Sequence, residues 1–348
     1  MTANEIRKDY LLNRLVVIAK DRKKRPLDFV HDNNAETNNG VCPLCLGNEH
    51  ITPPAVLVYV FSEGKINKLQ DTNEFIHKDW ILRVIPNLYP VVDYPKNAEQ
   101  YECSGSSNAT VGHHEVIVES PCHNENPSTA RLSQLVHVIN SYIDRINALS
   151  KKPYVQHVAI FRNYGPESGA SLLHPHSQIV TTPFISPIMQ EELTASKNYW
   201  NKNNECYFCN LLKNEINGPR FIWENHSFVV LSPWASTHSF EFWVIPKRHN
   251  SNMANMSSYE VNDLAKTLRI CFGGLGSLLN NPSYNFGFHT LLSEDAKDCY
   301  HWHLEVYPRL GKWGGLEKST GVFINPISPE EASKELKTVF EYENKSLM

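Results

Sequence analysis

Residues 174–178 read His-Pro-His-Ser-Gln and place two imidazoles and one amide at alternating positions. If this run is an extended strand, His174, His176 and Gln178 point to one face, because side chains alternate across a strand. One imidazole could then bind a metal, the next could attack an electrophile, and the amide could donate to an oxyanion. A His-x-His pair is weak evidence of catalysis when it stands alone, so its partners elsewhere in the chain decide the interpretation.

Two Cys-x-x-Cys pairs, Cys42/Cys45 and Cys206/Cys209, are the strongest metal-binding signal among the eight cysteines of the chain. A disulfide framework is typical of smaller, secreted and more cysteine-dense chains. A redox pair is expected at the start of a helix after a strand, whereas the first pair lies in a stretch rich in Asn and Gly. The pairs therefore favour metal ligation, with an unmetallated turn as the alternative.

The two halves of the chain repeat one plan, which indicates an internal duplication. Residues 115–123 and 241–249 each run from Glu to His over eight steps. From that His to the first His of the next His-x-His motif is 51 residues in the first half and 52 in the second. The second motif, residues 301–305, reads His-Trp-His-Leu-Glu and matches residues 174–178.

Each half offers the four Cys and His ligands that structural zinc takes in a tetrahedron. The predicted sets are Cys42, Cys45, His123 and His174 in the first half, and Cys206, Cys209, His249 and His301 in the second. Zinc is the expected cofactor at both sites, and iron is an alternative ion for the second. Because a metal with four protein ligands has no open position, we expect it to hold the histidine strand and not to polarise a substrate.

His176 stays free for chemistry when His174 binds the metal. A neutral imidazole is a good nucleophile toward phosphorus, and the phosphoramidate that it forms can pass the group on. Gln178 could donate to a phosphoryl oxygen in the transition state, and an amide at this place favours transfer to an acceptor over hydrolysis. Glu305 stands at the matching place of the second half, where a carboxylate would repel a phosphate. We therefore expect catalysis in the first half and a scaffolding role in the second.

Two further groups could bind an anion. The small, polar loop before the His-x-His motif lets backbone amides approach a phosphate, with a plain Gly-rich turn as the alternative. A basic cluster near the N-terminus offers arginine forks that match phosphate oxygens, with a solvated turn as the alternative. The loop residues are Asn163, Gly165, Gly169 and Ser171, and the arginines are Arg22 and Arg25.

The composition bounds the class of protein. With 348 residues the chain is long enough for two domains or a duplicated one. A net charge of -4 gives no overall attraction to nucleic acid or to an anionic membrane. The N-terminus lacks the apolar core of a signal peptide, and the longest apolar run, residues 55–61, is too short to span a bilayer. We expect a cytoplasmic protein.

Sequence periodicity predicts strands around the motifs and three long helices. The helices are expected over 128–149 with Ser128 as cap, after Ser257 or Ser258, and after Ser328 at the C-terminus. The expected domains are residues 1–190, which would be catalytic, and residues 191–348, which would be a degenerate repeat.

The chain resembles the galactose-1-phosphate uridylyltransferase family, the transferase branch of the histidine-triad superfamily, which includes plant-type ADP-glucose phosphorylase. The resemblance is carried by motifs spread over most of the chain. They are Arg22-Lys-Lys-Arg25-Pro26, Cys42/Cys45, Glu119-Ser-Pro-Cys-His123, Asn163-Tyr-Gly-Pro-Glu-Ser-Gly-Ala-Ser171, His174-Pro-His176-Ser-Gln178 and Gly315-Leu-Glu317.

This resemblance implies an α+β fold of two tandem histidine-triad-like domains, with mostly antiparallel sheets and flanking helices, commonly in a homodimer. It implies ping-pong transfer, in which His176 takes a nucleoside monophosphate from a nucleotide sugar and gives it to a sugar 1-phosphate. By the same match, Glu317 would contact the hexose. The implied phosphate-binding residues are Gln178, Ser171, Asn163, Arg22 and Arg25, and Gly169 of the polar loop is a further predicted substrate-binding residue.

The chain departs from the family pattern at two places. Classical members hold the nucleoside with an Asn-Asp pair after a strand, and this chain has Asn87-Leu88; they also often have Gly where this chain has Ser177. The residues that occupy these motifs, and the tail at residues 321–326, resemble those of the plant-type branch. Uridylyl transfer between UDP-glucose and galactose 1-phosphate is the leading expectation, and adenylyl transfer from ADP-glucose to phosphate is the alternative.

A zinc-knuckle module that binds nucleic acid is the alternative from another class. Such a module is expected to be basic, with aromatic residues among its Lys and Arg. This chain is acidic, so we expect no nucleic-acid partner and no membrane partner.

Overall fold

A computed structural model describes residues 4–20, 22, 41–95 and 111–347. The chain contains both helices and strands, and the strands form mostly antiparallel sheets, so the predicted α+β class is confirmed. Arg25, one of the predicted phosphate-binding residues, lies outside the described residues.

Fourteen strands of the described residues form two sheets. The strands are β1 (Glu5–Lys8), β2 (Leu15–Ile18), β3 (Leu57–Ser62), β4 (Lys65–Leu69), β5 (Trp80–Pro86), β6 (His114–Val118), β7 (His157–Tyr164), β8 (His176–Thr182), β9 (Phe221–Glu224), β10 (Phe228–Leu231), β11 (Phe242–Pro246), β12 (Tyr284–His289), β13 (His303–Pro308) and β14 (Val322–Asn325). The smaller sheet has the order β1-β2-β14, with β14 parallel to β2. The larger sheet has the order β4-β3-β5-β6-β8-β7-β12-β13-β11-β10-β9, and its neighbouring strands are antiparallel.

The strand order of the larger sheet mirrors itself about the middle, as an internal duplication predicts. Toward the middle, the first half runs β3, β5, β6, β8, β7 and the second half runs β9, β10, β11, β13, β12. The halves meet where β7 pairs with β12, and Asn163 lies opposite Asn285 there. The two halves therefore share one continuous sheet. The domain boundary predicted between residues 190 and 191 falls within the helix Pro187–Asn203 and stays a prediction.

Six α-helices of the described residues flank the sheets. They are α1 (Leu132–Leu149), α2 (Pro187–Asn203), α3 (Tyr207–Glu215), α4 (Ser258–Leu279), α5 (Gly315–Thr320) and α6 (Pro329–Ser346). The main apolar core lies between α1 and α4 on one side and the middle strands on the other, with Ile139, Leu268 and Ile179 among its fully or almost fully buried members. In the described part of the chain, no helix combines the length and the apolar character that a membrane span requires.

Helix starts follow the sequence at two places and depart from it at a third. Ser257 caps α4 in a capping box with Glu260, and Ser328 caps α6 in the same way, as predicted. The expected cap at Ser128 is wrong, because α1 begins only at Leu132. The N–H groups of residues 129 and 130 donate instead to the main-chain oxygen of Asn126, at 2.8 and 2.7 Å, and close a turn before the helix.

The face of β8 that carries the predicted catalytic side chains points away from α1. The hydroxyl of Tyr142 in α1 donates to Ser177 Oγ at 2.9 Å, so Ser177 faces α1. His176 and Gln178, one position to either side, therefore face the opposite way. The prediction that His174 shares this strand is wrong, since β8 begins at His176. Pro175 has no N–H to donate to a strand ladder, which is consistent with a start after it.

Candidate functional site

The first Cys/His cluster brings together its four predicted ligands. The ligand atoms of Cys42, Cys45, His123 and His174 all lie within 4.8 Å of one another. Cys45 Sγ is 3.2 Å from His123 Nδ1 and 3.5 Å from His174 Nδ1, and Cys42 Sγ is 3.7 Å from His174 Nδ1. A tetrahedral zinc with ordinary Zn–S and Zn–N bonds separates its sulfur and nitrogen ligands by about 3.5 Å. The cluster therefore has the size of a zinc site.

Hydrogen bonds around this cluster also suit a metal. His174 Nε2 lies 2.8 Å from the main-chain oxygen of Ser120, so the Nε2–H donates to it and Nδ1 keeps its lone pair. A second-shell bond of this kind fixes both the tautomer and the ring orientation of a metal ligand. Burial lowers the pKa of His174 to about 4, so the ring is neutral.

The second Cys/His cluster repeats the arrangement with Cys206, Cys209, His249 and His301, whose ligand atoms also lie within 4.8 Å of one another. Cys209 Sγ is 3.4 Å from His249 Nδ1 and 3.6 Å from His301 Nδ1. The Nε2 of His249 lies 2.8 Å from the oxygen of Lys297, and that of His301 lies 2.9 Å from the oxygen of Pro246. Both histidines thus offer Nδ1 to the centre of the cluster, as His174 does in the first half.

The His176 ring is oriented by its own motif. His176 Nδ1 lies 2.8 Å from the main-chain oxygen of His174, so the Nδ1–H donates and Nε2 keeps the lone pair of a nucleophile. Burial lowers the pKa of His176, against the opposing effect of this hydrogen bond, so the ring is neutral. The side chain is 6% exposed and lines a cavity at the ends of β7 and β8.

Asn163 lines the same cavity as His176, and its amide is held in one orientation. Asn285 Nδ2 donates to the main-chain oxygen of Ser168 at 2.9 Å, which identifies that atom as the nitrogen of the amide. The same nitrogen donates to Asn163 Oδ1 at 2.8 Å. With its oxygen engaged, Asn163 keeps its NH₂ group free for a ligand. The sequence analysis missed Asn285, because nothing in the motif spacing indicates that β12 lies beside β7.

Arg162 adds a buried positive charge to the wall of this cavity. It is 1% exposed, forms an ion pair with Glu119 and donates to Asn126 Oδ1 at 3.2 Å. Burial opposes the charged form, but Glu119 outweighs it and raises the pKa of Arg162. Arg162 Nε is buried without a hydrogen-bond partner among the described atoms. The guanidinium makes the cavity suitable for an anion.

Gln178 and Asn87 meet at His114, a histidine that lies outside every motif identified in the sequence. His114 Nε2 lies 2.8 Å from Gln178 Oε1 and 3.1 Å from Asn87 Nδ2. The side chain of His114 is 4% exposed. Its contacts connect the predicted nucleoside-binding residue to the predicted catalytic amide.

The remaining predicted substrate-binding residues lie outside the His176 cavity. Gly169 and Ser171 are exposed on the loop that precedes it, and Gly169 has the positive φ of +82° that favours glycine. Arg22 and Glu317 line a different cavity, together with His238 and Trp313 among others. The Glu317 carboxylate accepts the main-chain N–H of Gly314 at 2.9 Å, which caps α5.

In the second half, His303 occupies the place that corresponds to His176, and its ring is buried out of reach of a ligand. His303 Nδ1 lies 3.1 Å from the oxygen of His301, which repeats the arrangement of the first half. Its Nε2, however, lies 3.3 Å from Glu305 Oε1, and the ring is fully buried with its centroid 4.5 Å from that of Phe208 and 5.3 Å from that of Trp243. This ring has neither a free nitrogen nor access to a ligand.

A third cluster of metal-ligand residue types surrounds His303, and the sequence analysis missed it. Its members are Glu192, His289, His303 and Glu305, with ligand atoms within 4.8 Å of one another. His289 Nδ1 is 2.9 Å from Glu192 Oε1, and burial would lower the pKa of His289, but Glu192 and Glu305 raise it to about 9. His289 thus forms buried ion pairs with both carboxylates of the group. Glu192 lies in α2 without any motif spacing that could have indicated its partners.

Two family models match the chain. The N-terminal domain of galactose-1-phosphate uridyl transferase matches residues 1–186, and a domain of unknown function (DUF4921) matches residues 104–346.

Individual proteins match over nearly the whole length. An ADP-glucose phosphorylase from Arabidopsis thaliana is 30% identical, covering 96% of this chain and 93% of its own. A galactose-1-phosphate uridylyltransferase from Thermotoga maritima is 25% identical, covering 96% of this chain and 98% of its own. The crystal structure of an ADP-glucose phosphorylase from Arabidopsis thaliana with bound ADP-glucose superposes with a TM-score of 0.82 at 30% identity, covering 97% of this chain and 98% of that one.

Proposed function

The chain belongs to the galactose-1-phosphate uridylyltransferase family, and we propose that it moves an adenylyl group from ADP-glucose to inorganic phosphate. The higher identity to the ADP-glucose phosphorylase, 30% against 25%, supports adenylyl over uridylyl transfer. The Asn87-Leu88 pair, where classical members have Asn-Asp, supports the same choice.

One observation carries the proposal: His176 donates through Nδ1 to its own motif and keeps a nucleophilic Nε2 in a cavity. In the first step, Nε2 attacks the α-phosphorus of ADP-glucose, an N–P bond forms, and glucose 1-phosphate leaves as the P–O bond breaks. In the second step, a phosphate oxygen attacks the same phosphorus, ADP is formed, and the electron pair returns to Nε2. Because both steps displace a group from the same phosphorus atom, the same protein side chains can stabilise both transition states.

The remaining groups stabilise charge and place the substrate. The NH₂ groups of Asn163 and Gln178 would donate to phosphoryl oxygens as negative charge develops on them, and Arg162 supplies a fixed positive charge nearby. We assign Asn87 to the nucleoside and Glu317 to the hexose. We also assign phosphate contacts to Arg22, Arg25, Gly169 and Ser171.

The two Cys/His clusters would each hold one metal ion with four ligands. Zinc is proposed for both, because two thiolates and two imidazoles in a tetrahedron suit it, and iron is the alternative in the second cluster. A metal bound there supplies structural support and no catalytic group, since all four positions are filled by the protein. His174 would then be fixed by its side chain, and its main-chain oxygen would hold His176 in place.

A homodimer in the cytoplasm is part of the proposal. Arg22 and Glu317 line a cavity that shares no lining residue with the His176 cavity. A second copy that covered both cavities would bring these residues to one substrate. Light scattering on the purified protein measures the mass directly, and a monomer at working concentration would contradict the dimer.

Trapping of the covalent intermediate tests the function. The intact protein is incubated with ADP-glucose or UDP-glucose without an acceptor and then weighed by mass spectrometry. An adenylyl adduct that disappears on addition of phosphate is the expected result. A uridylyl adduct that disappears on addition of galactose 1-phosphate would instead establish uridylyl transfer, the second candidate, which is the activity named for the Thermotoga maritima relative. No adduct with either nucleotide sugar would overturn nucleotidyl transfer through His176.

A further inference from the structure

His114 lies on the same face of the sheet as the catalytic residues. It is the first residue of β6 and pairs with Val180 of β8, while Val116 pairs with Gln178. His114 and Gln178 are therefore diagonal neighbours on one face, a separation that long side chains span. The 2.8 Å contact between His114 Nε2 and Gln178 Oε1 follows from this register.

The surroundings of His114 fix its tautomer. The main-chain N–H of Val91 donates to His114 Nδ1 at 3.1 Å, so Nδ1 carries a lone pair. Burial lowers the pKa of His114, so the ring is neutral and its one proton is on Nε2. This N–H needs an acceptor, because an unsatisfied buried donor is unfavourable.

Gln178 is the acceptor for that proton. Asn87 Nδ2 also lies 3.1 Å from His114 Nε2, but the Asn87 oxygen already accepts the main-chain N–H of Tyr89 at 2.8 Å. The atom of Asn87 that faces His114 is therefore a donor. Only the oxygen of Gln178 can accept from Nε2–H, which turns the NH₂ end of the Gln178 amide away from His114.

The second half of the chain carries neither partner of this contact. Val116 pairs with Gln178 in the first half and Trp243 pairs with Glu305 in the second, so by register the residue that corresponds to His114 is Glu241. A carboxylate has two equivalent oxygens and needs no group to choose its orientation, whereas an amide has two different ends. The half with the amide thus has the histidine, and the half with the carboxylate has no histidine there.

We propose that His114 is a positioning residue, which holds the Gln178 amide so that its NH₂ group faces the phosphoryl group during transfer. The proposal rests on the proposed function, because it assigns a role to His114 through Gln178. Without the hydrogen bond from His114, the Gln178 amide can turn and present its oxygen to the substrate phosphate. Two hydrogen-bond acceptors would then face and repel each other. His114 Nδ1 also accepts the main-chain N–H of Val91, so the loop that follows Asn87, which we assign to the nucleoside, and the amide that we assign to the phosphate are held by one ring.

A double-mutant cycle tests the proposal. The variants are His114→Phe, which keeps an aromatic ring but removes both ring nitrogens, Gln178→Ala, and the two combined. The rate of adduct formation at His176 is measured in a single turnover by mass spectrometry. We expect His114→Phe to lower this rate about tenfold in the wild-type background and less than twofold in the Gln178→Ala background. In the second background there is no amide for His114 to orient.

A matched control uses the neighbouring histidine. His113 Nε2 is bonded to the hydroxyl of Tyr154 at 2.8 Å and not to Gln178. His113→Phe is expected to keep the rate within twofold of wild type. If His114→Phe does not fold, Val91→Pro serves in its place, because it removes the main-chain N–H that fixes the tautomer and replaces a side chain that is 67% exposed. Its loss of rate should likewise disappear in the Gln178→Ala background.

The outcomes separate the two proposals. An adduct in wild type with a loss in His114→Phe that vanishes without Gln178 supports the positioning role. An adduct in wild type with an unchanged rate in the variant, or with the same fold loss in both backgrounds, overturns the positioning role and leaves the proposed function intact. No adduct in wild type overturns the proposed function and with it the role of His114.

Discussion

The main-chain oxygen of His174 lies 2.8 Å from Nδ1 of His176. His174 therefore takes part in two structures at once, since its side chain lies in the first Cys/His cluster and its carbonyl group holds the ring of the proposed nucleophile. His301 and His303 repeat the contact at 3.1 Å in the second half, where Glu305 and aromatic rings seal the second imidazole. A local arrangement that both halves share thus leaves the second imidazole accessible from a cavity in only one of them.

Replacing His176 with Gly should abolish turnover. Without the imidazole no N–P bond can form, and we expect the rate to fall by about 10⁴-fold or more, as it does when a covalent nucleophile is removed. Steady-state assays of phosphate-dependent ADP-glucose cleavage measure the loss. Metal content and melting temperature should stay close to wild type, because His176 is not among the cluster ligands. Substantial turnover in this variant would refute a covalent histidine.

Replacing Cys42 with Ser should remove metal and reduce both stability and activity. A serine hydroxyl is a poor substitute for a thiolate ligand, and loss of the ion would release His174, whose carbonyl group orients His176. Elemental analysis should give about one ion fewer per chain. Cys122→Ser is the matched control, since Cys122 is exposed, next to His123, and outside the cluster. Equal metal loss in both variants would contradict the assignment of ligands.

Replacing Asp9 with Asn should stabilise the protein at neutral pH. Burial raises the pKa of Asp9 to about 6, above the value of an unfolded Asp. The folded state therefore binds more protons between about pH 4 and 6, so Asp9 lowers stability as pH rises through that window, and the full penalty is present above pH 6. Asn keeps an oxygen for the N–H groups of Leu11 and Leu12, which Asp9 Oδ1 accepts at 2.8 Å each.

The expected gain from Asp9→Asn is about 2–3 kcal/mol at pH 8 and about half of that at pH 5. Urea unfolding of the metal-loaded protein at the two pH values measures it. A gain that is equal at both pH values would show that the charge of Asp9 is not its source.

Replacing Asn285 with Asp should slow transfer while leaving the fold in place. A carboxylate cannot donate to the oxygens of Ser168 and Asn163, as the Asn285 amide does at 2.9 and 2.8 Å. Asn163 is then free to rotate, and its oxygen can face the substrate phosphate. We expect about a tenfold loss in single-turnover rate. In an Asn163→Ala background the same change should have little further effect, and a full tenfold loss there would contradict the argument.

Several features of the fold follow from local sequence signals. The Ser257 and Ser328 caps are marked by Ser three residues before Glu, a spacing that satisfies backbone N–H groups at a helix start. The missed start of α1 shows the limit of such signals, because Ser128 also stands before a periodic segment but a turn at Asn126 takes up the neighbouring N–H groups. The competing turn is visible only when backbone conformations are known.

The spacing of Cys and His by itself determined which eight residues form the two clusters, because ligand types and an internal repeat are properties of the chain in order. It likewise marked His176 and Gln178 as the side chains able to do chemistry. Only the tertiary structure decided that His114 is hydrogen-bonded to Gln178, that Asn285 is hydrogen-bonded to Asn163 and that Phe208 packs against His303. These contacts join residues that are far apart in sequence, and strand order, register and packing set them.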